Sequence, residues 1–483
     1  MTKKFAKFIS HNLILLTILL IGLFFRIYNF KNLYIFEHDQ DLYSWIVKDI
    51  LSGHLRLIGQ LTSIDGVFIG PLYYYFLVPF YRIFNYNPLA AILPATIVSL
   101  AAIVSVYYVF WRLFEKRTGL IAAFIYSVSF PIAIIDRWIV PTQLVIIWSI
   151  WFFYLCFSLL KNNPQIFFIS GILSGLIWHI HIGLIPIMLL VPICLVITKQ
   201  KIPKNQIIYS IFLFFILSLP YFVFELKHDF LQTRSLISAM TVERGAIEVF
   251  ERFKIAFSGA SIALSRFLVI GGRVHVTVVY LLFFSLIYFF KKRQIITKKQ
   301  IIAVISWIFL VVFTQFLSKR DISDYYFNSI IIIAILLTAL LLSHFIKQRK
   351  LLLIVLSIYF LWNLSKLAGY KLNNTYEYKK GVVDYIKSDA SRKSYPCIAV
   401  NYVADFGSGV GFRYLLWYEN LATIIPNENV PVYKILIPQD RYKGESDFIS
   451  GLFGLKLPEE KKFDFNVCSD SKYKQPPLFL YTD

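Results

Sequence analysis

The chain has 483 residues, 58% of them hydrophobic and 16% charged, with a formal net charge of +21. With a mean hydropathy of +0.64, it reads as a polytopic membrane protein and not a soluble globule. Its Lys and Arg residues cluster in short loops between apolar runs, which marks topology and excludes a basic nucleic-acid groove.

No small-residue cleavage site follows the first apolar run, Leu13 to Phe25, so it reads as a retained span. At about 17–25 residues per crossing, about 11 transmembrane helices are expected. Their runs are 12–30, 89–113, 119–135, 141–160, 166–182, 183–198, 206–224, 274–290, 300–317, 327–345 and 351–366. The chain thus divides into a transmembrane part, 1–366, with a first loop at about 31–88, and a C-terminal region, 367–483.

In the first loop, Phe36-Glu37-His38-Asp39-Gln40-Asp41 puts three carboxylates and a histidine within five residues. The stretch after it, Asp41 to His54, carries Leu42, Trp45, Ile46 and Ile50 at helical spacing, which suits a helix lying at a membrane surface. Gly66 to Phe84 is nearly long enough to be a span. Counting it as one would invert the charge pattern downstream, so it is expected as a re-entrant or interfacial helix started by Pro71, with tyrosines at the headgroup level.

Alternate loops carry the positive charge: Lys3, Lys4 and Lys7; Lys116 and Arg117; Lys161; Lys199, Lys201 and Lys204; Lys291 to Arg293 with Lys298 and Lys299; and Lys347, Arg349 and Lys350. These mark the cytoplasmic side. The acidic cluster, the Asp136-Arg137 turn, the His179/His181 turn, the long 225–273 loop, the Arg320–Tyr326 turn and the C-terminal region then face outward from the cytoplasmic (inner) membrane.

From residue 367 the composition changes. A helix at Lys379 to Lys387 and strands at Cys397–Val403, Phe412–Trp417, Val432–Ile437 and Leu478–Tyr481 predict a small mixed α/β domain. Cys156 and Cys194 fall in apolar spans and read as inert core. Cys397 and Cys468 share the outer region, where a disulfide between them is open but not given by spacing.

The cytoplasmic loops are too short for a βαβ nucleotide unit, and the chain has no P-loop, GxGxxG after a strand or HExxH. This argues against a soluble nucleotide donor, and an enzyme of this kind is expected to take its substrate from the lipid. Ionisable residues gather at outer span ends, among them Glu37, Asp39, Asp41, Arg56, Asp136, Arg137, His179, His181, Arg273 and Arg320. Carboxylates beside cations suit transfer of a group away from a phosphate: the carboxylate takes the acceptor's proton while Arg, Lys or His neutralises the leaving phosphate.

The motifs Asp39-Gln40, Leu57-Ile58-Gly59, Gly66 and Gly70-Pro71-Leu72-Tyr73-Tyr74-Tyr75 resemble those of bacterial glycosyltransferase family 39. Asp136-Arg137-Trp138 with Pro141, Gly171 to His181 and Tyr325-Tyr326 extend the likeness. This family belongs to the GT-C superfamily, with the protein O-mannosyltransferases and the aminoarabinose transferases. The resemblance implies a GT-C-like fold and an integral membrane hexosyl or pentosyl transferase. It also implies a polyprenyl-phosphate sugar donor, an extracytoplasmic protein, lipid or glycan acceptor, and inversion at the anomeric carbon.

Asp39 matches the family's catalytic base. The adjacent carboxylate pair of protein O-mannosyltransferases is absent, because His38 and Gln40 flank Asp39. Glu37 and Asp41 are the other carboxylates available for catalysis; the plainer alternative is that Asp39 or Asp41 caps the helix opening at Asp41. Arg137, His181, His179, Arg320 and Arg56 are candidates for the donor phosphate. Against these stand an anchoring role or a salt bridge to Asp136 for Arg137, hydration for the histidines, and a helix stop for Arg320. Tyr73, Tyr74 and Tyr75 line a substrate groove or belong to an aromatic belt. No cofactor is firmly implied; a divalent metal on His38, Asp39 and Asp41 is open, with a ligand set that is not diagnostic. A secondary transporter or lipid flippase is the competing class, although the broken midplane helices and repeats of transporters are not evident. A non-catalytic scaffold or receptor is the third.

Overall fold

Apolar segments with no water to satisfy their backbones close their hydrogen bonds internally as helices. In the computed structural model, which describes residues 2–241, 249–266, 274–317, 322–404, 410–442, 444–459 and 462–475, every apolar run named above is helical. Among the described residues, six helices are long and apolar enough to cross a bilayer: Pro88–Leu113, Pro141–Leu160, Lys204–Lys227, Lys298–Leu317, Tyr325–Phe345 and Arg349–Gly369. Lys116–Val128 and Phe130–Asp136, bent by 70°, make a seventh if they are one span, and Asn12–Ile27, Pro164–Ile180 and Ile182–Thr198 are shorter apolar helices. The segment read as a long loop at 225–273 holds two helices, Leu231–Thr241 and Val249–Ser265.

The 70° bend has a local cause. Pro131 has no N–H to give and its ring crowds the carbonyl four residues back, so the helix stops at Ser129, whose backbone is extended. The carbonyls left over would be costly in an apolar interior. Buried Arg26 takes them up, donating to the Ser127 carbonyl and, at 3.2 Å, to that of Tyr126. On the other side of the break the Phe130 N–H donates to Asn363 Oδ1 at 2.8 Å.

The acidic cluster opens a helix earlier than its apolar spacing suggested. The helix is His38–Leu51, with Glu37 as its N-cap and the Gln40 side chain accepting from the Glu37 N–H at 3.0 Å. Asp41 is therefore not the cap but lies one turn inside. The next helix, Leu72–Ile83, has 12 residues, about 18 Å of rise against the roughly 30 Å of a hydrocarbon core, and so does not span.

The C-terminal region forms a helix, Tyr376–Arg392, and a five-stranded sheet. Its strands are β1 (Ile398–Ala404), β2 (Thr423–Ile424), β3 (Val432–Ile437), β4 (Phe448–Ser450) and β5 (Phe453–Lys456), in the order β2-β1-β3-β5-β4. β1 runs parallel to β2 and β3, while β5 is antiparallel to β3 and β4. The stretch expected as a strand at Phe412–Trp417 is instead a helix, Arg413–Tyr418, which buries Tyr414, Leu415 and Leu416. Aromatic composition favours strands in isolation, and tertiary packing overrode it here. The strand expected at Leu478–Tyr481 lies outside the described residues. Cys397 and Cys468 form a disulfide, while Cys156 and Cys194 are free and buried.

The first loop and the C-terminal region share one core. Phe36, Tyr43, Tyr74 and Tyr81 pack in the same buried cluster as Tyr376, Val383, Tyr414 and Tyr433. Trp45, expected at a membrane surface, instead meets Tyr414 and Trp417 edge-on or tilted, with ring centroids 5.6 and 5.7 Å apart. Gly411 makes the contact close enough: its φ is +132°, and a Cβ there would stand 2.5 Å from the Glu37 carbonyl oxygen.

Candidate active site

Successive helical residues are turned by about 100°, so positions four apart share a face and positions two apart oppose each other. Glu37 and Asp41 accordingly face the C-terminal region. Glu37 accepts from Asn374 Nδ2 at 2.9 Å, and Asp41 accepts the Tyr414 N–H at 2.7 Å. Asp39 faces the other way, into a cavity of about 690 Å³ that it lines with Gln60, Trp138, His181, Arg266 and Tyr325, among others. Gln60 Nε2 reaches Asp39 Oδ1 at 3.4 Å.

Burial raises the Asp39 carboxyl above the ordinary Asp value, and the charge of His38 and the Gln60 hydrogen bond pull it partly back. Burial also raises Asp41, to about 6, against the Tyr414 N–H and the charges of Lys379 and Arg413. Glu37 is raised by burial and lowered by Lys379 and Asn374. A carboxylate with raised pKa at the edge of a cavity is a better base than an exposed one.

His181 joins Asp39 at this cavity. It caps the short turn after Ile180: its Nδ1 accepts the Gly183 N–H at 3.0 Å, which puts the neutral ring's proton on Nε2. The ring sits 5.5 Å from that of Tyr325 and 5.1 Å from that of Tyr326.

Other expected site residues lie elsewhere. His179 is taken up in packing: the Leu72 N–H reaches its Nδ1 at 3.3 Å and its Nε2 donates to the Leu217 carbonyl at 2.7 Å. Gly70 must be glycine for this, since a Cβ would stand 2.3 Å from His179 Nδ1. Arg56 pairs with Asp49 at 3.0 Å. Arg137 does not pair with Asp136, whose partner is Arg26 at 2.7 Å. Instead Arg137 Nη2 donates to the carbonyls of Phe25 and Tyr28 at 2.8 and 2.7 Å. Arg320 lies outside the described residues, as does Arg273.

None of the three tyrosines lines the cavity. Tyr74 Oη accepts the Gln60 N–H at 3.0 Å, and Tyr75 Oη accepts the Arg56 N–H at 2.8 Å and donates to its carbonyl. Tyr73 is buried beside Gln143. The Tyr74 and Tyr75 hydroxyls shape the segment that carries Gln60, and that of Tyr73 reaches Gln143, a residue of the cavity wall. His38, Asp39 and Asp41 do not converge as ligands, and among the described residues no three His, Cys, Asp or Glu side chains group to hold a metal.

Arg266 and Gln60 were missed in the sequence. Arg266 follows the apolar Val249–Ser265 helix within a stretch read as loop, and an Arg ending an apolar helix was the available signal. Gln60 follows Leu57-Ile58-Gly59 and carries no charge to mark it.

Residues 69–224 match the family model described as dolichyl-phosphate-mannose-protein mannosyltransferase. No curated protein matches the sequence. Two solved structures share the fold. ArnT from Cupriavidus metallidurans, crystallised bound to undecaprenyl phosphate, superposes with a TM-score of 0.58 at 10% identity, over 92% of this chain and 97% of that one. The Archaeoglobus fulgidus oligosaccharyltransferase superposes with a TM-score of 0.50 at 13% identity, over 88% of this chain and 68% of that one. The resemblance read from the sequence is borne out: the chain has the fold of the GT-C membrane glycosyltransferases. Within that fold, residues 69–224 carry the mannosyltransferase family pattern.

Proposed function

We propose that this chain is an integral membrane glycosyltransferase that moves a sugar from a polyprenyl phosphate to an acceptor outside the cytoplasmic membrane. The observation that carries the reading is the cavity lined by a half-buried carboxylate, Asp39, together with Arg266 and His181, on a GT-C fold. In this reading Asp39 removes the proton of an acceptor hydroxyl. The acceptor oxygen then attacks the anomeric carbon from the side opposite the phosphate, the bond from that carbon to the phosphate oxygen breaks, and the configuration inverts. The leaving phosphate keeps the bonding pair; the Arg266 charge offsets its charge, and the Nε2–H of neutral His181 donates a hydrogen bond to it.

About eleven crossings with the Lys/Arg-rich loops in the cytoplasm put the cavity and the C-terminal region on the outer face. The Cys397–Cys468 disulfide accords with that side, where disulfides persist. The ArnT structure was solved with undecaprenyl phosphate, which supports a polyprenyl-phosphate donor here. The test is to incubate wild-type protein and Asp39→Asn in nanodiscs with radiolabelled polyprenyl-phosphate sugars and a membrane extract. Label transfer by wild type alone supports the reading. Absence of transfer or donor hydrolysis by either folded protein, over a wide donor set, defeats it.

A further inference from the structure

Lys379 is fully buried, which a lysine almost never is unless it is paired. It sits on the Tyr376–Arg392 helix where the C-terminal region meets the first loop. Its Nζ donates to the Val410 carbonyl at 3.2 Å and lies over the rings of Phe412 and Phe453, at 4.8 and 5.3 Å from their centroids. Its charge acts on Glu37 and Asp41, the two carboxylates on one face of the first turn of the His38–Leu51 helix. Glu37 also accepts from Asn374 Nδ2 and Asp41 from the Tyr414 N–H, both from the same region of the chain, while the Gln40 N–H caps Glu37 from within the helix.

Burying a cation to join two layers costs more than burying a leucine, and an apolar replacement of a buried ion pair is often neutral or stabilising. What the charge adds is direction. Apolar contact would let this helical turn rotate or slide, whereas the bond from Nζ to the Val410 carbonyl fixes the segment that packs Gly411 on the Glu37 carbonyl and gives the Tyr414 N–H to Asp41, and so holds one rotation. Because Asp39 is opposite Glu37 and Asp41 on the turn, that rotation is the one that aims it into the cavity.

We infer that Lys379 is a positioning residue for the transfer reaction: its buried ammonium fixes the 410–414 segment against the acidic turn and so holds the Asp39 carboxylate toward the cavity. This rests on the proposed role of Asp39. The C-terminal region thereby completes the active site without touching the substrate.

The test uses the full chain in nanodiscs, as wild type, Lys379→Met and Lys379→Arg. It reads kcat, donor KM and the amide exchange of residues 37–41 and Tyr414. Lys379→Met is expected to lower kcat about 100-fold, the order expected for a misplaced catalytic group, with donor KM unchanged. Exchange should speed up at residues 37–41 and at Tyr414, and Lys379→Arg should recover part of kcat. An undiminished kcat in folded Lys379→Met overturns the inference, and so does a loss of activity that only follows loss of folded protein. If Lys379→Met does not accumulate, Asp41→Leu, which removes the acceptor of the Tyr414 N–H, reads the same coupling. It is expected to lower kcat at constant donor KM, and an unchanged kcat there overturns the inference equally. Absence of transfer by the wild type defeats the glycosyltransferase reading itself. Normal wild-type transfer with full activity in Lys379→Met defeats only the positioning role.

Discussion

Asp39 and Asp41 stand two residues apart on one helix and serve opposite sides of it. Asp41 accepts the backbone N–H of Tyr414, 373 residues away, at 2.7 Å, while Asp39 lines the cavity with His181 and Arg266. One turn of helix thus carries both the joint to the C-terminal region and the candidate base.

Replacing Asp39 separates these functions. Asp39→Asn keeps the shape and the Gln60 contact but cannot take a proton. It is expected to lower kcat by about 100- to 10,000-fold, the usual contribution of general-base catalysis, with donor affinity and thermal midpoint retained. Single-turnover transfer and donor-binding measurements check this. Equal activity in the two proteins would move the base elsewhere.

Arg266→Ala is expected to raise donor KM and weaken donor binding, because it removes a cation from the cavity wall. Arg137→Ala is expected to lower the thermal midpoint and leave the donor affinity of the folded fraction intact, since Arg137 is bonded to the Phe25 and Tyr28 carbonyls. Donor titration of both variants distinguishes them, and a reversal of the two patterns would return Arg137 to the phosphate site.

The acid limb of activity follows from burial. Because the Asp39 pKa is raised in the folded protein, the proposed base is lost by protonation at a higher pH than an ordinary Asp would be. kcat/KM measured against pH is expected to fall through that raised value.

Stability has its own pH signature at the joint. Asp41 rises from 3.8 to about 6 on folding, so the folded state binds more protons between those values. This contribution to stability is fully present below about pH 4 and is lost as pH rises through about 6. Lys379 falls from 10.5 to about 8, so the unfolded state binds more protons between these values, and its contribution grows as pH rises through that window. Thermal unfolding of Asp41→Asn against wild type is expected to lose the gain seen on acidification below pH 6. An identical acid profile in both would remove Asp41 as its source.

The Arg26–Asp136 pair is expected to act on folding, not on chemistry. Arg26→Met leaves Asp136 charged and buried and the Ser127 and Tyr126 carbonyls of the broken helix unsatisfied. Removing one partner of a buried pair costs about 3–5 kcal/mol. The thermal midpoint should drop sharply, whereas Arg26→Met with Asp136→Asn should recover part of it. An unchanged midpoint in Arg26→Met would show that the break is satisfied another way.

The sequence by itself determined the helices, because an apolar run in a bilayer has only one local way to satisfy its backbone. It also determined the acidic first loop, the short Leu72–Ile83 helix and the mixed composition of the C-terminal region, since each is written in hydrophobic period, helix length and turn residues. It singled out Asp39 among three neighbouring carboxylates only through the family resemblance. Tertiary structure alone decided which way each carboxylate faces, because that depends on where the helix starts and on what packs against each side. The start moved from Asp41 to His38 when Gln40 capped Glu37. Only the folded chain could bring Asn374 to Glu37 and Tyr414 to Asp41, pair Asp136 with Arg26 in place of its neighbour Arg137, and put Arg266 in the wall of the cavity that Asp39 lines. Those contacts join residues far apart in sequence, and no local periodicity encodes them.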